Sequence, residues 1–465
     1  MVSSKTPPPE NTPSSSEAHN VSSEQAVAPF SSRRDFLKKS ALAGAGFWVA
    51  GNLHASARVS VNDSVNVACI GVGGQGQSDT NNLRRIEGVN VVAICDIDEK
   101  NLGGASRKFK DAKQYFDYRE MFDKMGKSID AVSIATPDHT HAPAALRAMR
   151  RGLHVYCQKP LTHTIYEARL MGKVARENKV ITQMGNQGTA LSSLREGAAL
   201  LQAGVLGRVS EIHVWTNRPV WPQGADRPTE TPPVPSHIHW DLWLGAAQER
   251  NFHPAYHPFK WRGWWDFGTG ALGDMACHTL NLAFMGLDLR DPLSVKAQTS
   301  GTNNETFPKW SEIEYEFGQQ GERAPLKLRW YDGGRKPEAK LLEGVERVPN
   351  TGLIIIGEKG ALLSEGDYGQ KIKLLGGAEK VEVDYERSPG HFKEWIQGIQ
   401  SNSQPMSNFP DYASPLTETV LLGNLALKAS GQKVLWDAKN LKATGVEGLD
   451  AIVNKEYRKG FGIEE

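Results

Sequence analysis

Cysteine is scarce. Four residues in 465, Cys69, Cys95, Cys157 and Cys277, stand far apart, with neither a close pair nor metal-ligand spacing. This argues against a disulfide framework and a cysteine-built metal centre; three of the four lie in or beside apolar runs and read as buried small hydrophobes. Excess charge is missing too: 54 Lys and Arg face 53 Asp and Glu, a net charge of +1, so nothing marks a nucleic-acid or anionic-membrane partner. The apolar run Ala41–Gly51, about a dozen residues, is too short to span the ~30 Å core of a bilayer. No internal repeat is visible.

The first thirty residues are rich in Ser, Pro, Glu and Thr, a composition expected to stay disordered. Ser32-Arg33-Arg34-Asp35-Phe36-Leu37-Lys38-Lys39 then leads into the short apolar run, and Ala55-Ser56-Ala57 offers small residues for cleavage. The arrangement resembles a twin-arginine export signal, which implies the twin-arginine machinery as a partner and a periplasmic or otherwise exported mature chain beginning near Arg58. The remaining length, about 400 residues, suits two domains.

What is there in abundance is a pattern. Val65 to Asp96 runs as an apolar strand, a glycine turn, a helix and a second strand ending in an acid. Gly71, Gly73 and Gly76 fit G-x-G-x-x-G, with Gly71 for the tight turn, Gly73 for close approach of backbone to a pyrophosphate and Gly76 for packing of helix on strand; Gly74 and Gln75 complete the phosphate loop. The helix that follows aims its free N–H groups at the phosphates. Asp96, placed to accept hydrogen bonds from a ribose, would repel a 2′-phosphate about 4 Å away by about 4 kcal/mol per unit charge at an effective dielectric of ~20. Ile97 stands where an arginine could have rescued that phosphate. The expected cofactor is therefore NAD rather than NADP.

After Asp96 the alternation continues: helix 99–108, strand 131–134, helix 143–151, strand 154–157, helix 166–178, strand 180–183. Such alternation predicts a parallel doubly wound sheet, with ligands beyond the carboxyl ends of its strands. From about Thr189 the texture shifts to alternating strands (209–216, 313–317, 327–331, 352–356), which predicts an α+β domain on a large open, mostly antiparallel sheet. The expected division is 1–57 for tail and signal, 58–188 for the Rossmann domain, and 189–465 for a substrate-binding and oligomerisation domain. Seven of the twelve tryptophans fall between Trp215 and Trp265. Trp261, Arg262 and Trp265 among them offer the aromatic faces and polar donors that suit a sugar, although a tryptophan-rich core explains any single ring equally well.

Hydride-transfer chemistry needs a base for the substrate hydroxyl and groups that orient it. Lys159 stands at a strand end beside the expected cofactor cleft. Asp274 and His278, four apart in ALGDMACHTLN, share a helix face, where the carboxylate can fix the imidazole, or the pair can be structural or half a metal site.

With VACIGVGGQGQ, SIATPDHTHAPAALRAMRRGLHVYCQKPLT and GALGDMACHTLN together, the chain from about Val65 to Asp437 resembles the glucose–fructose oxidoreductase, inositol dehydrogenase and rhizopine-catabolism family, Gfo/Idh/MocA. The resemblance implies that Lys159 holds the place of the lysine in the family's Glu-Lys-Pro motif. It puts Asp274 and His278 in that of its Asp-x-x-x-His pair, with His278 as general base. It also implies that Thr136, Pro137, His139, His141, Gln158 and Asn186 line the cofactor. Gln158 departs from the usual glutamate. The expected activity is NAD-dependent oxidation of a secondary hydroxyl in a sugar, cyclitol or glycoside, by a homo-oligomer that carries its cofactor with it, since free NAD is expected to be scarce outside the cytoplasm. The main rival is a redox-neutral hydrolase or lyase working through a transient keto-sugar, like exported NAD-dependent N-acetylgalactosaminidases of this superfamily, which commonly lack the lysine. An idle sugar-binding protein, and a metal enzyme on His253, His257 and His278, are further alternatives; no metal is expected.

Overall fold

In a computed structural model the protein is described over residues 64–343, 345 and 347–464. Arg33-Arg34, the apolar run and the cleavage site lie outside the described residues.

Apolar strands buried on both faces build the first sheet. β1 (Val65–Ile70), β2 (Val89–Cys95), β3 (Lys113–Tyr115), β4 (Ala131–Ile134), β5 (His154–Cys157) and β6 (Thr182–Met184) pair in parallel in the order β3-β2-β1-β4-β5-β6. Every residue of β4 and β6 is buried, as expected of strands covered by helices on both sides. The connecting helices are α1 (Gly74–Leu83), α2 (Glu99–Ser106), α3 (Tyr118–Met125), α4 (Asp138–Met149) and α5 (Ile165–Glu177). α4 begins at Asp138, five residues before the Pro143 from which the sequence pattern would start it. Pro137 sets its entry in extended backbone, and Pro143 sits inside the helix.

The second sheet has nine strands, β7 (Val209–Trp215), β8 (Ser294–Thr299), β9 (Ser311–Phe317), β10 (Leu326–Tyr331), β11 (Gly352–Gly357), β12 (Gly360–Glu365), β13 (Lys371–Leu375), β14 (Val434–Asp437) and β15 (Lys442–Thr444). They follow the order β13-β12-β11-β7-β10-β9-β8-β14-β15, antiparallel except where β7 meets β10. β9 shows why one face is dry. Ser311, Ile313, Tyr315 and Phe317 are buried, and the glutamates between them point the other way. Helices α6 (Ser192–Gln202), α7 (Trp240–Leu244), α8 (Gly270–Thr279), α9 (Asn281–Leu287), α10 (His391–Ser401), α11 (Ser414–Lys428) and α12 (Asp450–Val453) complete the fold. The four cysteines are free and buried, as their surroundings in the sequence suggest.

Chain order and packing order part company at α10. Its Trp395 and Ile396 bury themselves against Val67, Cys69, Tyr156 and Ile181 of the first sheet. The next segment extends this docking, with Met184 N–H donating to the Ser407 carbonyl at 2.9 Å and Phe409 N–H to Thr182 Oγ1 at 2.9 Å. One face of the Rossmann core is thus closed by residues some two hundred positions later. Trp395→Ala should lower the stability of the full chain by about 3–5 kcal/mol, the usual loss for a fully buried aromatic. Denaturant unfolding followed by circular dichroism checks this, and an unchanged midpoint would refute the docking.

Candidate active site

The carboxyl ends of the first sheet's strands open into a cleft of about 730 Å³, walled on its far side by the second domain. Gly71, Gly73, Gly74, Gln75, Asp96, Thr136, Pro137, Gln158 and Lys159 line it, together with Trp261, Arg262, Asp274 and His278.

The glycine turn fits the phosphates of a dinucleotide. Gly71 has φ +77°, and a Cβ there would stand 2.5 Å from the Ala135 carbonyl oxygen. A Cβ on Gly74 would meet nothing within 4 Å, which leaves bare backbone facing the cleft. α1 carries no acidic residue in its first turn, and Gly73 provides no side-chain cap, so the first N–H groups remain available to an anion. Gly76 does not line the cleft; a Cβ there would run into the Gly71 carbonyl, so its role is packing of helix on strand. Asp96 accepts hydrogen bonds from Val72 N–H and Asp98 N–H, each at 2.9 Å. Burial raises its pKa, and those two N–H groups oppose the shift.

At the other end, Lys159 Nζ donates to Asp274 Oδ1 at 2.9 Å and to the Asp274 carbonyl at 2.6 Å; Arg262 Nε reaches the same Oδ1 at 3.3 Å. Burial disfavours the Asp274 carboxylate, but the charges of Lys159 and Arg262 outweigh it and hold the pKa at about 2. The expected orientation of His278 by Asp274 is absent. Although they share a helix, Asp274 points to the two cations, and His278 Nδ1 is buried without a partner. Burial drives the His278 pKa well below the imidazole range, and the charge of Lys159 adds to the shift, so the ring is neutral at physiological pH. Tyr368 meets it edge to face, with 4.5 Å between ring centroids.

Gln158 answers for its departure from glutamate. Its Nε2 donates to Asp79 Oδ2 at 2.7 Å, and Gln75 Nε2 donates to Asp79 Oδ1 at 2.8 Å. A glutamate at 158 would set two carboxylates together, whereas the amide ties the β5 loop to α1. Burial pushes Asp79 up to about 6.

Four expected lining residues stand behind the cleft instead. His139 places its ring nitrogens 3.1 and 3.0 Å from the Phe267 and Trp243 carbonyl oxygens, and His141 lies 2.8 and 2.9 Å from those of Pro160 and Thr136. Both are buried and brace the backbone of the loops that do line the cleft. Asn186 is buried between Ser407 and Asn281. Trp265 packs tilted on Phe307, with 3.7 Å between ring centroids, and donates to the Thr306 carbonyl, so it packs the wall of the cleft. Trp243, Trp261 and Trp264 join Tyr256 and Phe267 in a buried aromatic cluster against which the partly buried Trp240 packs, the structural role that the tryptophan-rich stretch also allowed. His257 lines the cleft, but among the described residues no group of three His, Cys, Asp or Glu could hold a metal ion.

Asp138 escaped the sequence pattern, although it stands between the expected Pro137 and His139 at the first turn of α4. It lines the cleft, is 4% exposed, and accepts from Thr269 Oγ1 at 2.6 Å, joining the start of α4 to the start of α8.

Fold and cleft define a two-domain enzyme with an NAD-binding Rossmann domain. Models of the oxidoreductase family match the chain twice, as its NAD-binding Rossmann fold over residues 65–186 and as its C-terminal alpha/beta domain over residues 197–345. Together they cover more than half of the chain, which belongs to the Gfo/Idh/MocA family of oxidoreductases. An inositol 2-dehydrogenase of Rubrobacter xylanophilus is 29% identical over 155 residues, 33% of this chain and 38% of that protein. A glycosyl hydrolase family 109 protein of Saccharopolyspora erythraea is 26% identical over 271 residues, 53% of this chain and 52% of the relative. The chain thus spans between about a quarter and about half of the curated relatives it matches. The WlbA dehydrogenase of Bordetella pertussis, solved with NADH and UDP-GlcNAcA, superposes with a TM-score of 0.58 at 18% identity, over 80% of this chain and 99% of that one. A levoglucosan dehydrogenase solved with NADH and L-sorbose gives 0.56 at 15% identity, over 80% and 98%. These likenesses carry the fold.

Burial pushes Asp138 up to about 7, against about 3.9 for a free aspartate, and the bond from Thr269 opposes the shift. Between those values the folded state holds a proton that the unfolded state has lost. The contribution of Asp138 to stability is therefore full below about pH 4 and lost as pH rises through 7. Asp138→Asn should flatten that part of the stability–pH curve, measured as unfolding midpoints from pH 4 to 8. An unchanged slope would refute the assignment.

Proposed function

We propose that this enzyme oxidises a secondary hydroxyl of a sugar, cyclitol or glycoside, using an NAD that it retains. The observation that carries this reading is convergence: the paired Lys159 and the neutral His278 open into the same cleft as the glycine turn. NAD, when bound, supplies the hydride acceptor. Lys159 Nζ, held against Asp274, donates to the substrate oxygen and anchors it. His278, neutral and without a partner at Nδ1, takes the hydroxyl proton at an imidazole nitrogen. Trp261 and Arg262, the latter 4.2 Å over the former's ring, present a face and a cation to the sugar.

The relatives named as glycosyl hydrolase family 109 proteins favour a second reading, in which oxidation is transient, the glycosidic substituent is eliminated, and the product is reduced again. The retained Lys159 weighs toward net oxidation. Lys159→Ala and His278→Ala should keep NAD affinity while losing about 10²–10⁴-fold in turnover. Gly73→Val, by contrast, should lose the nucleotide. Single-turnover absorbance at the nicotinamide band, with mass analysis of product formed in deuterated water, separates the readings: net absorbance change marks the dehydrogenase, and deuterium beside the former ketone without such change marks the hydrolase. Full turnover in His278→Ala would overturn both.

Export by the twin-arginine route belongs to the same proposal, because an already folded chain can carry its cofactor across. Replacing Arg33 and Arg34 with lysine should strand unprocessed, active protein in the cytoplasm, as read by fractionation. Unchanged periplasmic delivery would reject the signal.

A further inference from the structure

We propose that the C-terminal segment from Lys455 to Ile463 is a clasp over the adenosine end of the cofactor cleft, with Phe461 as its wall, and that it sets how slowly the dinucleotide leaves. The inference rests on NAD as the cofactor and adds a part that lies beyond both stretches matched by the family models.

Sheet order identifies the end. The glycine turn follows β1 at the centre; Asp96 follows β2 and Phe116 follows β3 on one side, while Lys159 follows β5 on the other. The ribose-binding acid thus marks the side where adenosine lies, away from Lys159. Phe461 lines the same cleft as Phe116 and Tyr118, and it packs on Arg119, in the helix that follows β3. Its ring lies 3.8 Å from the guanidinium of Arg119 and 4.5 Å from that of Arg458, and it is only 6% exposed.

The segment is held without a sheet ladder. Lys455 Nζ lies 3.3 Å from the buried Glu167 and 3.0 Å from His163 Nδ1, and Tyr457 donates to Glu167 at 2.8 Å. Arg458 donates to the carbonyls of Gly245 and Asp241 at 2.9 and 2.6 Å, and Arg119 donates to the Gly460 carbonyl at 2.7 Å. The tethers reach residues of the Rossmann helices and of the α7 region, so the segment straddles the cleft edge. Between Asn454 and Glu464 it has no regular secondary structure. Ile463 anchors the segment in the core and Arg458 N–H bonds the Ala246 carbonyl, but the stretch around Phe461 is otherwise fixed by separate side-chain bonds and opens by releasing a few of them, whereas a strand would have to leave its whole ladder.

The test uses the full chain loaded with NADH, chased with excess NAD, and reads the dissociation rate from the loss of nicotinamide fluorescence. Phe461→Ala should speed release by about tenfold, since lost wall contacts fall mainly on the dissociation rate. Phe461→Leu should restore much of the retention. Arg458→Ala, which frees the strap from Asp241 and Gly245 without replacing the wall, should also speed release. Two fragments locate the effect: affinity for ADP should fall in Phe461→Ala, and affinity for nicotinamide mononucleotide should not. Wild-type rates in both alanine variants, or equal losses for the two fragments, would overturn the clasp while leaving NAD as the cofactor. Failure of the wild type to bind NADH would overturn the cofactor and the clasp together.

Discussion

The arrangement of this enzyme depends on one part-buried ion pair. Lys159 leaves the end of a parallel strand, Asp274 leaves a helix of the other domain, and they meet at 2.9 Å with little access to water. Separating such partners has a cost, because removal of Lys159 leaves the Asp274 carboxylate to Arg262 alone. The pair therefore does two things. It fixes an ammonium at the cleft, and it ties the second domain to the wall of the first. Arg262 shares the same carboxylate, so the residue offered to the substrate is positioned by the same constraint.

The neutral state of His278 follows from that choice. Burial and the charge of Lys159 lower the His278 pKa, and the Asp274 carboxylate, committed to two cations, opposes them only in part.

The fold was legible where pattern is local. Alternating apolar segments and turns mark β1, β2, β4, β5 and β6 closely but miss β3, whose Lys113 and Gln114 are exposed, and β9 shows its inward and outward faces residue by residue. The pattern misled at Pro143, because proline favours the first turn of a helix, yet α4 had already begun. It was silent on α10, whose partners in the first sheet lie hundreds of residues away. The site divides in the same way. Gly71, Gly73 and Asp96 announce themselves by spacing, since all three lie within one strand–turn–helix–strand unit. His139, His141 and Asn186 carry the right residue types at the right loop ends, but only tertiary structure reveals that carbonyls and neighbouring side chains already occupy them. Asp138 and Phe461 have no local signature, because their significance comes from Thr269 and from Arg119, each on a different element.

The bonds of Asp96 link cofactor choice to architecture. One carboxylate oxygen receives the N–H of Val72 inside the glycine turn, and the other receives the N–H of Asp98, whose own side chain caps α2. The carboxylate expected to discriminate against a 2′-phosphate is thus also the peg joining two loops. Engineering a switch of dinucleotide preference by neutralising this position would unpin the pyrophosphate turn and the start of α2 together, so altered selectivity would demand a rebuilt pair of loops and not a single exchanged side chain.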